Sequence, residues 1–302
     1  MQFLKNKYLM KLKFYKYQGA GNDFLIADNR DGAISEADGV LYFMEGGRRR
    51  SIRISDVCDR RYGVGADGLM LLEISDVNDF RMTYFNSDGS GGMMCGNGGR
   101  CMVAFAADMG IQHFDFDAAD GFHTAEILSS DGPLKTVRLR MKDVDSAQEY
   151  VSLTGVEAPS DGYFLDTGTR HFVRHVIGLD EYDVVGEGRD IRWNAEELKP
   201  IGANVNFVEA FDGSIMVRTY EKGVEDETFA CGTGIVASAV ASYLKGIPPT
   251  SVGSDGRISY SVHAKRDELA VDFLPSESAA AYTQVWLTGP AVFVAEILLC
   301  GI

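Results

Sequence analysis

Two short cysteine-glycine motifs carry the residues best suited to chemistry in this chain of 302 residues. Cys95-Gly96-Asn97-Gly98 and Cys231-Gly232-Thr233-Gly234 lie 136 residues apart, and a Gly-Ile pair follows each at the same distance, Gly110-Ile111 and Gly246-Ile247. A thiolate accepts a proton and a thiol donates one. Two equivalent thiols can therefore take a proton from one face of a carbon atom and return one to the other face, which inverts a stereocentre.

Each motif is predicted to start a buried helix. The stretches Met102–Ala107 and Ile235–Leu244 are small or apolar on nearly every side, and the glycines of the two Gly-Ile pairs suit helix C-termini. The first turn of a helix has unpaired backbone N–H groups and the positive end of the macrodipole, which together stabilise a thiolate and attract a carboxylate. We therefore expect Cys95 and Cys231 to be acid–base residues, whereas Cys58 and Cys101 are interpreted as packing residues because neither starts a helix.

The similarity of the two halves extends upstream of the motifs. The strand-like stretch 81–85 precedes Asn86, and the strand-like stretch 216–220 precedes Glu221, nine or ten residues before the respective cysteine. Apolar alternation, as at Val137, Leu139 and Met141, and frequent turn signals predict a mixed α+β fold made of two related domains.

Composition and motifs exclude several classes of protein. The formal net charge of −15 repels nucleic-acid phosphates. No apolar run approaches the roughly 20 residues that span a bilayer, so we expect a cytoplasmic protein without a membrane partner. The five cysteines lack CxxC spacing, and no dinucleotide fingerprint, P-loop or metal-ligand spacing occurs, which predicts reduced thiols and no cofactor or metal. Arg48-Arg49-Arg50 is interpreted as a solvated loop.

Beyond these patterns, the chain resembles the diaminopimelate epimerases from about Met10 to its C-terminus. The resemblance rests on these motifs: Gly19-Ala20-Gly21-Asn22-Asp23-Phe24, Gly63-Val64-Gly65-Ala66-Asp67-Gly68, Asn86-Ser87-Asp88-Gly89-Ser90 leading to Cys95, Ala203-Asn204-Val205-Asn206-Phe207, and Glu227-Thr228 leading to Cys231.

The resemblance implies an architecture. It consists of two pseudo-symmetric domains, each a mixed, mostly antiparallel sheet around a central buried helix, with the active site in the cleft between them. We expect residues 10–140, completed by a C-terminal strand at about 288–302, to form one domain and residues 141–287 the other, with 1–9 as an N-terminal extension. A homodimer is implied as well.

The resemblance also implies an activity and residue roles. The activity is conversion of LL-2,6-diaminopimelate to the meso isomer, a step toward lysine and peptidoglycan precursors, with Cys95 and Cys231 as the two bases and neither metal nor pyridoxal phosphate. His171 and Glu221 match positions that assist the cysteines or hold the reacting ammonium group. Further substrate-binding positions are the side chains of Asn22, Asn86, Asn97 and Asn204, chiefly for the distal amino-acid end. The backbone N–H groups of Gly96, Asn97, Gly232 and Thr233 would bind the carboxylate at the reacting carbon.

Three positions depart from the family pattern. Lys222 stands where the family usually has arginine, and the two are not equivalent because arginine clamps a carboxylate with two parallel bonds while lysine is a point charge. Arg170 stands where a proline usually precedes the histidine, and Asp226 marks a loop one residue longer than usual. Lys222 is among the expected substrate-binding residues, so recognition of the distal carboxylate is affected. We expect catalysis to survive all three changes and substrate preference to be the property most exposed to them.

Three other functions remain open at this point. A sister racemase could use the same two cysteines on proline or histidine. A cysteine hydrolase would use Cys95 as nucleophile and His171 as base and would form an acyl-enzyme. A non-catalytic amino-acid-binding protein would leave the duplicated thiols without a purpose.

Overall fold

The computed structural model describes residues 12–158, 160–276 and 281–300, which form two compact units. The first unit contains the described residues up to Val137 together with those from Ala291 onward, and the second comprises Arg138–Pro290. The predicted extension 1–9 and the choice of start codon between Met1 and Met10 lie outside the described residues. That these units are independent domains stays a prediction.

The first unit is built mainly from strands. Its elements, in chain order, are β1 (Lys13–Gly19), β2 (Asn22–Asp28), β3 (Ile34–Ala37), β4 (Val40–Glu45), β5 (Arg48–Arg53), α1 (Ile54–Cys58), β6 (Gly68–Glu73), β7 (Phe80–Asn86), α2 (Gly96–Asp108), β8 (Asp115–Ala118), β9 (Gly121–Asp131) and the start of β10 (Leu134–Arg140). Strands β3, β4 and β5 form a separate antiparallel sheet.

The second unit adds a longer helical segment between its strands. Its elements are β11 (Ala147–Tyr150), β12 (Gly162–Asp166), β13 (Arg170–His175), a 3₁₀ turn (Leu179–Glu181), α3 (Val184–Asn194), a second 3₁₀ turn (Glu196–Leu198), β14 (Asn204–Phe211), β15 (Ser214–Glu221), β16 (Asp226–Thr228), α4 (Gly232–Leu244), β17 (Ser251–Val252), β18 (Ile258–His263), β19 (Glu268–Pro275) and β20 (Tyr282–Leu298). The last residues of β20 belong to the first unit.

The two units repeat one strand topology. In the first, β1–β2 is antiparallel, β2–β6 parallel, β6–β7 antiparallel, β7–β8 parallel and β8–β9 antiparallel. In the second, the same order of directions joins β12, β13, β14, β15, β18 and β19. The predicted mixed, mostly antiparallel α+β fold is confirmed, and the shared topology matches the duplication seen in the sequence.

Each unit encloses one helix that its sheet surrounds. Helix α2 packs on β1, β2, β6 and β9, and α4 packs on β12 through β15, β18 and β19. All residues of α2 from Gly96 to Ala106 are buried, as are those of α4 from Gly234 to Ser242. Both predicted helices are therefore confirmed, with no polar face turned to solvent over these stretches.

Both helices end as their glycines predict. The Gly110 and Gly246 backbones have φ of +88° and +79°, a region that a side chain makes unfavourable. In each case the glycine N–H and the following isoleucine N–H donate to carbonyls of the last helical turn, at about 3.0 Å. This pair of bonds is the Schellman motif, which fixes the residue at which each helix ends.

The prediction for Arg48-Arg49-Arg50 was wrong. These residues are exposed but lie in strand β5, paired with β4 from Glu45 to Met44 and Phe43. Arg50 forms an ion pair with Glu45, and the Arg49 guanidinium lies over the Tyr42 ring at 4.5 Å. The partners in β4 stabilise the extended backbone of this run, and they are distant enough in sequence that local composition does not reveal them.

Acid sensitivity of the second unit is expected from His175. Burial lowers the pKa of His175 to about 4, and its Nδ1 has no hydrogen-bond partner among the described residues. The unfolded chain binds a proton near pH 6.5 and the folded chain does not, so stability falls as the pH drops from about 6.5 toward 4. From pH 7.5 to 5.5, wild-type protein should lose about 1 kcal/mol more unfolding free energy than His175→Gln, measured by urea denaturation.

The control for this prediction is His113→Gln, because His113 is exposed. This variant should keep the pH dependence of the wild type. Equal acid sensitivity of His175→Gln and wild type would contradict the prediction.

Candidate active site

Cys95 is the N-cap residue of α2. Its backbone is extended (φ −110°, ψ 149°), and its Sγ accepts a hydrogen bond from the Gly98 N–H at 3.2 Å. A Cβ on Gly98 would approach the same sulfur to 3.1 Å. The glycine therefore lets the sulfur lie against the first helical turn, where N–H donors stabilise negative charge.

A chain of polar side chains runs from the α2 helix to the sheet. Buried Arg100 donates to Asn97 Oδ1 at 2.8 Å and to the Gly96 carbonyl at 3.2 Å. The Asn97 Nδ2 donates to Asn22 Oδ1 at 2.6 Å, and Asn22 Nδ2 donates to Asp67 at 3.0 Å. Guanidinium only donates and carboxylate only accepts, so the two ends of the chain fix both amide orientations.

Strand register brings Asn86 to the same sheet edge as Asn22. Gly68 of β6 pairs with Phe24 of β2 on one side and with Asn86 of β7 on the other. The Asn86 Nδ2 donates to Ser90 Oγ at 3.0 Å within a turn. Asn86 thus stabilises the turn between β7 and the cysteine motif.

Cys231 is the N-cap residue of α4 but its sulfur is held differently. No side-chain capping bond forms there. Instead Cys231 Sγ lies 3.5 Å from Thr233 Oγ1, and the Thr233 carbonyl accepts a bond from Thr167 Oγ1 at 2.9 Å. The two cysteines occupy equivalent helix positions with different hydrogen-bond environments.

His171 lies fully buried beside the start of α4. Its Nε2 is 2.9 Å from Thr233 Oγ1 and 2.9 Å from Thr169 Oγ1, and its Nδ1 is 3.0 Å from Asn206 Nδ2. Burial lowers the pKa of His171 to about 3. The imidazole is therefore neutral at physiological pH.

Asn204 and Glu221 lie at the same edge of the β13–β14–β15 strands as His171. His171 of β13 pairs with Asn204 of β14, and β14 pairs with β15, which ends at Glu221. The Asn204 Oδ1 accepts from the Lys222 N–H at 2.8 Å, while its Nδ2 donates to the Arg170 carbonyl and to Thr169 Oγ1. Asn204 thus joins the ends of three strands.

Glu221 is a half-buried carboxyl group beside this edge. Burial raises its pKa, and a bond donated by Thr228 Oγ1 at 2.7 Å opposes the rise. Glu221, the last residue of β15, pairs with Asp226, the first residue of β16. The loop that the sequence predicts to be one residue longer than usual therefore includes a short turn between two paired strands. Lys222 is half-buried and takes part in no ion pair among the described side chains.

Arg170 has its own partners within the second unit. Its guanidinium lies 4.9 Å from the centre of the Phe164 ring and donates to the Leu198 carbonyl at 3.3 Å. The cation that replaces the usual proline is therefore stacked and hydrogen-bonded.

Among the residues of these networks, the sequence analysis assigned no site role to Asp67, Arg100, Thr169 and Asn206. Arg100 carried a signal, since it is the only charged residue from Gly96 to Ala107 in an otherwise small and mostly apolar segment. Asn206 also carried one, because it is two residues from Asn204 and so faces the same side of strand β14. Among described residues, no cluster of metal-ligating side chains occurs and no helix is long and apolar enough to cross a membrane.

The fold class is shared with several solved structures. A phenazine biosynthesis protein of the PhzF family from Bacillus anthracis matches with a TM-score of 0.67 at 14% identity, covering 95% of this chain and 98% of that one. A predicted epimerase from Pseudomonas aeruginosa gives 0.64 at 13%, covering 96% and 100%. A probable proline racemase from Agrobacterium radiobacter gives 0.61 at 15%, covering 95% and 92%.

Sequence relatives define the family within this fold class. The model of the diaminopimelate epimerase family matches residues 14–142. A diaminopimelate epimerase from Flavobacterium psychrophilum is 38% identical over 94% of this chain and 99% of its own length. One from Chlorobaculum tepidum is 43% identical over 76% and 82%. The chain belongs to the diaminopimelate epimerase family.

Proposed function

We propose that this protein is an isomerase that epimerises LL-2,6-diaminopimelate to meso-diaminopimelate. Family membership and relatives named for this activity support the substrate. The observation that carries the chemistry is the repeated placement of a cysteine at the N-cap of each unit's buried helix. A single thiol in one such position would serve a hydrolase equally well, but the repeat supplies both an acid and a base.

The proposed reaction is a proton exchange at one α-carbon. The thiolate of one cysteine takes the α-proton and becomes a thiol, and the thiol of the other gives its proton to the carbanion and becomes a thiolate. Protons balance within each turnover, and no oxidant or cofactor enters the step. The carbanion is stabilised by N–H groups of the helix starts that bind its carboxylate, namely those of Gly96, Asn97, Gly232 and Thr233.

The remaining predicted residues bind and orient the substrate in this proposal. Asn22 and Asn97 present amides whose orientation is set by Arg100 and Asp67, which favours discrimination over adaptability. Asn86 lies at the end of a strand in the first unit and Asn204 at the start of one in the second, and Glu221 and Lys222 supply charges for an ammonium and a carboxylate. Because Lys222 replaces a bidentate arginine, we expect weaker geometric selection at the distal carboxylate.

Two alternatives remain testable. A sister racemase acting on proline or histidine would use the same cysteines, but it would not need polar groups for a second amino-acid end. A cysteine hydrolase would need His171 as general base. The burial that lowers the pKa of His171 to about 3 makes its imidazole a poor base.

We further propose that the protein is a cytoplasmic homodimer. Its ligand is a small-molecule substrate. The dimer is supported by family resemblance. The net charge of −15 argues against a nucleic-acid partner. Light scattering of the purified protein gives its mass in solution, and a monomer at micromolar concentration would contradict the dimer.

The function is tested by incubating purified, reduced protein with LL-diaminopimelate in D₂O and following the α-carbon by NMR. We expect the meso isomer to form with deuterium at the inverted centre. Proline and histidine serve as comparison substrates, and the Cys95→Ala/Cys231→Ala double variant is the blank. Exchange with proline or histidine alone would assign a sister racemase, and no exchange with any of them would overturn the proposal.

A further inference from the structure

The hydrogen bonds of buried Asn206 constrain which ring nitrogen of His171 carries the proton. Asn206 is fully buried, and its Nδ2 donates to the Phe172 carbonyl at 3.3 Å while its Oδ1 accepts from Thr219 Oγ1 at 3.0 Å. A carbonyl oxygen has no hydrogen to give, so Nδ2 is the group that faces Phe172. The same Nδ2 lies 3.0 Å from His171 Nδ1. His171 Nδ1 therefore accepts.

A neutral imidazole that accepts at Nδ1 must carry its proton on Nε2. The Nε2–H then points to the hydroxyls of Thr169 and Thr233, each 2.9 Å away. Nε2 in this tautomer has no lone pair for accepting a hydrogen bond. Neither threonine can donate its hydroxyl hydrogen to the histidine.

The Asn204 side chain donates a second hydrogen bond into this group of hydroxyls. Asn204 accepts from the Lys222 N–H through Oδ1, so its Nδ2 faces Thr169 Oγ1, at 3.3 Å. Thr169 Oγ1 is 3.2 Å from Thr233 Oγ1 and can pass its own hydrogen there. When Thr169 donates across this contact, Thr233 Oγ1 accepts from both the His171 Nε2–H and the Thr169 hydroxyl. Its own hydrogen is left for Cys231 Sγ, 3.5 Å away.

We propose that Asn206 is a positioning residue that, by holding His171 in the Nε2–H tautomer, directs the Thr233 hydroxyl to donate to the Cys231 thiolate. The opposite tautomer would let Nε2 accept the Thr233 hydrogen and remove it from the sulfur. The Cys95 sulfur accepts a hydrogen bond from a backbone N–H of its own helix. This inference deepens the proposed function and concerns the same site.

The tautomer is tested directly on full-length protein labelled with ¹⁵N-histidine. Long-range ¹H–¹⁵N correlations distinguish protonated from unprotonated ring nitrogens, and the absence of one signal set in His171→Gln assigns them. We expect His171 to show an unprotonated Nδ1 and a protonated Nε2 at pH 7. A protonated Nδ1 at pH 7 would overturn the proposal.

The effect on the thiol is tested by alkylation with iodoacetamide from pH 6 to 9, with each cysteine peptide quantified by mass spectrometry. In Thr233→Val, which keeps the backbone N–H, the Cys231 rate at pH 7 should fall about tenfold and its pH profile should move to higher pH. Cys95 in the same molecule is the internal control and should change by less than about twofold. Thr233→Ser keeps the hydroxyl and should restore the Cys231 rate.

Asn206→Leu removes the amide but leaves the hydroxyls, so it should lower the Cys231 rate in the same way as Thr233→Val. Unchanged Cys231 alkylation in Thr233→Val would overturn the proposal, and so would an equal loss at both cysteines, which indicates a general structural effect. Neither measurement requires substrate. A failure of the epimerase assay therefore remains distinguishable from a failure of this inference.

Discussion

Cys231→Ala and Cys95→Ala should each lower kcat/KM for diaminopimelate epimerisation by about a thousandfold or more. Removing one thiol leaves one face of the α-carbon without a group to exchange a proton, and positioned acid–base groups contribute factors of this size. The measurement is the rate of meso product formation in D₂O.

The same variants should remain folded, with small losses of unfolding free energy that differ between the two. Cys231 Sγ lies 3.5 Å from Thr233 Oγ1, a long contact with a hydroxyl, so its replacement by alanine should cost less than about 1 kcal/mol. Cys95 accepts the Gly98 N–H, so its replacement should cost about 1 kcal/mol. Circular dichroism and urea denaturation measure both.

Cys300→Ala is the matched control, because Cys300 is an exposed cysteine outside both motifs. It should keep wild-type activity. Normal turnover by either Cys95→Ala or Cys231→Ala would exclude a mechanism that needs both thiols.

Gly234→Ala should lower both activity and stability, although it adds a single methyl group. A Cβ at Gly234 would lie 2.3 Å from Asn206 Oδ1. The Asn206 amide cannot turn away without losing its bonds to His171, Phe172 and Thr219. We expect a loss of about 3 kcal/mol in unfolding free energy and a roughly hundredfold loss in kcat.

Two glycine variants make this prediction specific. Gly98→Ala, at the equivalent position of the first motif, brings a Cβ 3.1 Å from Cys95 Sγ, so it should destabilise by less than about 1.5 kcal/mol. Gly91→Ala meets no atom within 4 Å and should leave stability unchanged. If Gly234→Ala were as stable and active as Gly91→Ala, the close packing of Asn206 on the helix start would be excluded.

Local signals explain why the helices could be predicted. The cysteines, the flanking glycines, the apolar run and the final Gly-Ile pair lie within one short segment in each half. Helix starts and ends depend on residues that are close in sequence, and α2 and α4 begin and end where those signals stand. The Arg48-Arg49-Arg50 prediction failed for the converse reason, because its strand depends on partners in β4.

The sequence by itself determined the duplicated fold, the two helix-start cysteines and the family, because each of these follows from residue types and their spacing along the chain. Only the tertiary structure decided how the polar side chains are oriented. Asn97 bonds Asn22 from 75 residues away, and Asn206 bonds His171 from 35. The sequence alone does not specify which way an amide or an imidazole side chain is turned. Its orientation is fixed only when a buried donor or acceptor from a distant strand must be satisfied.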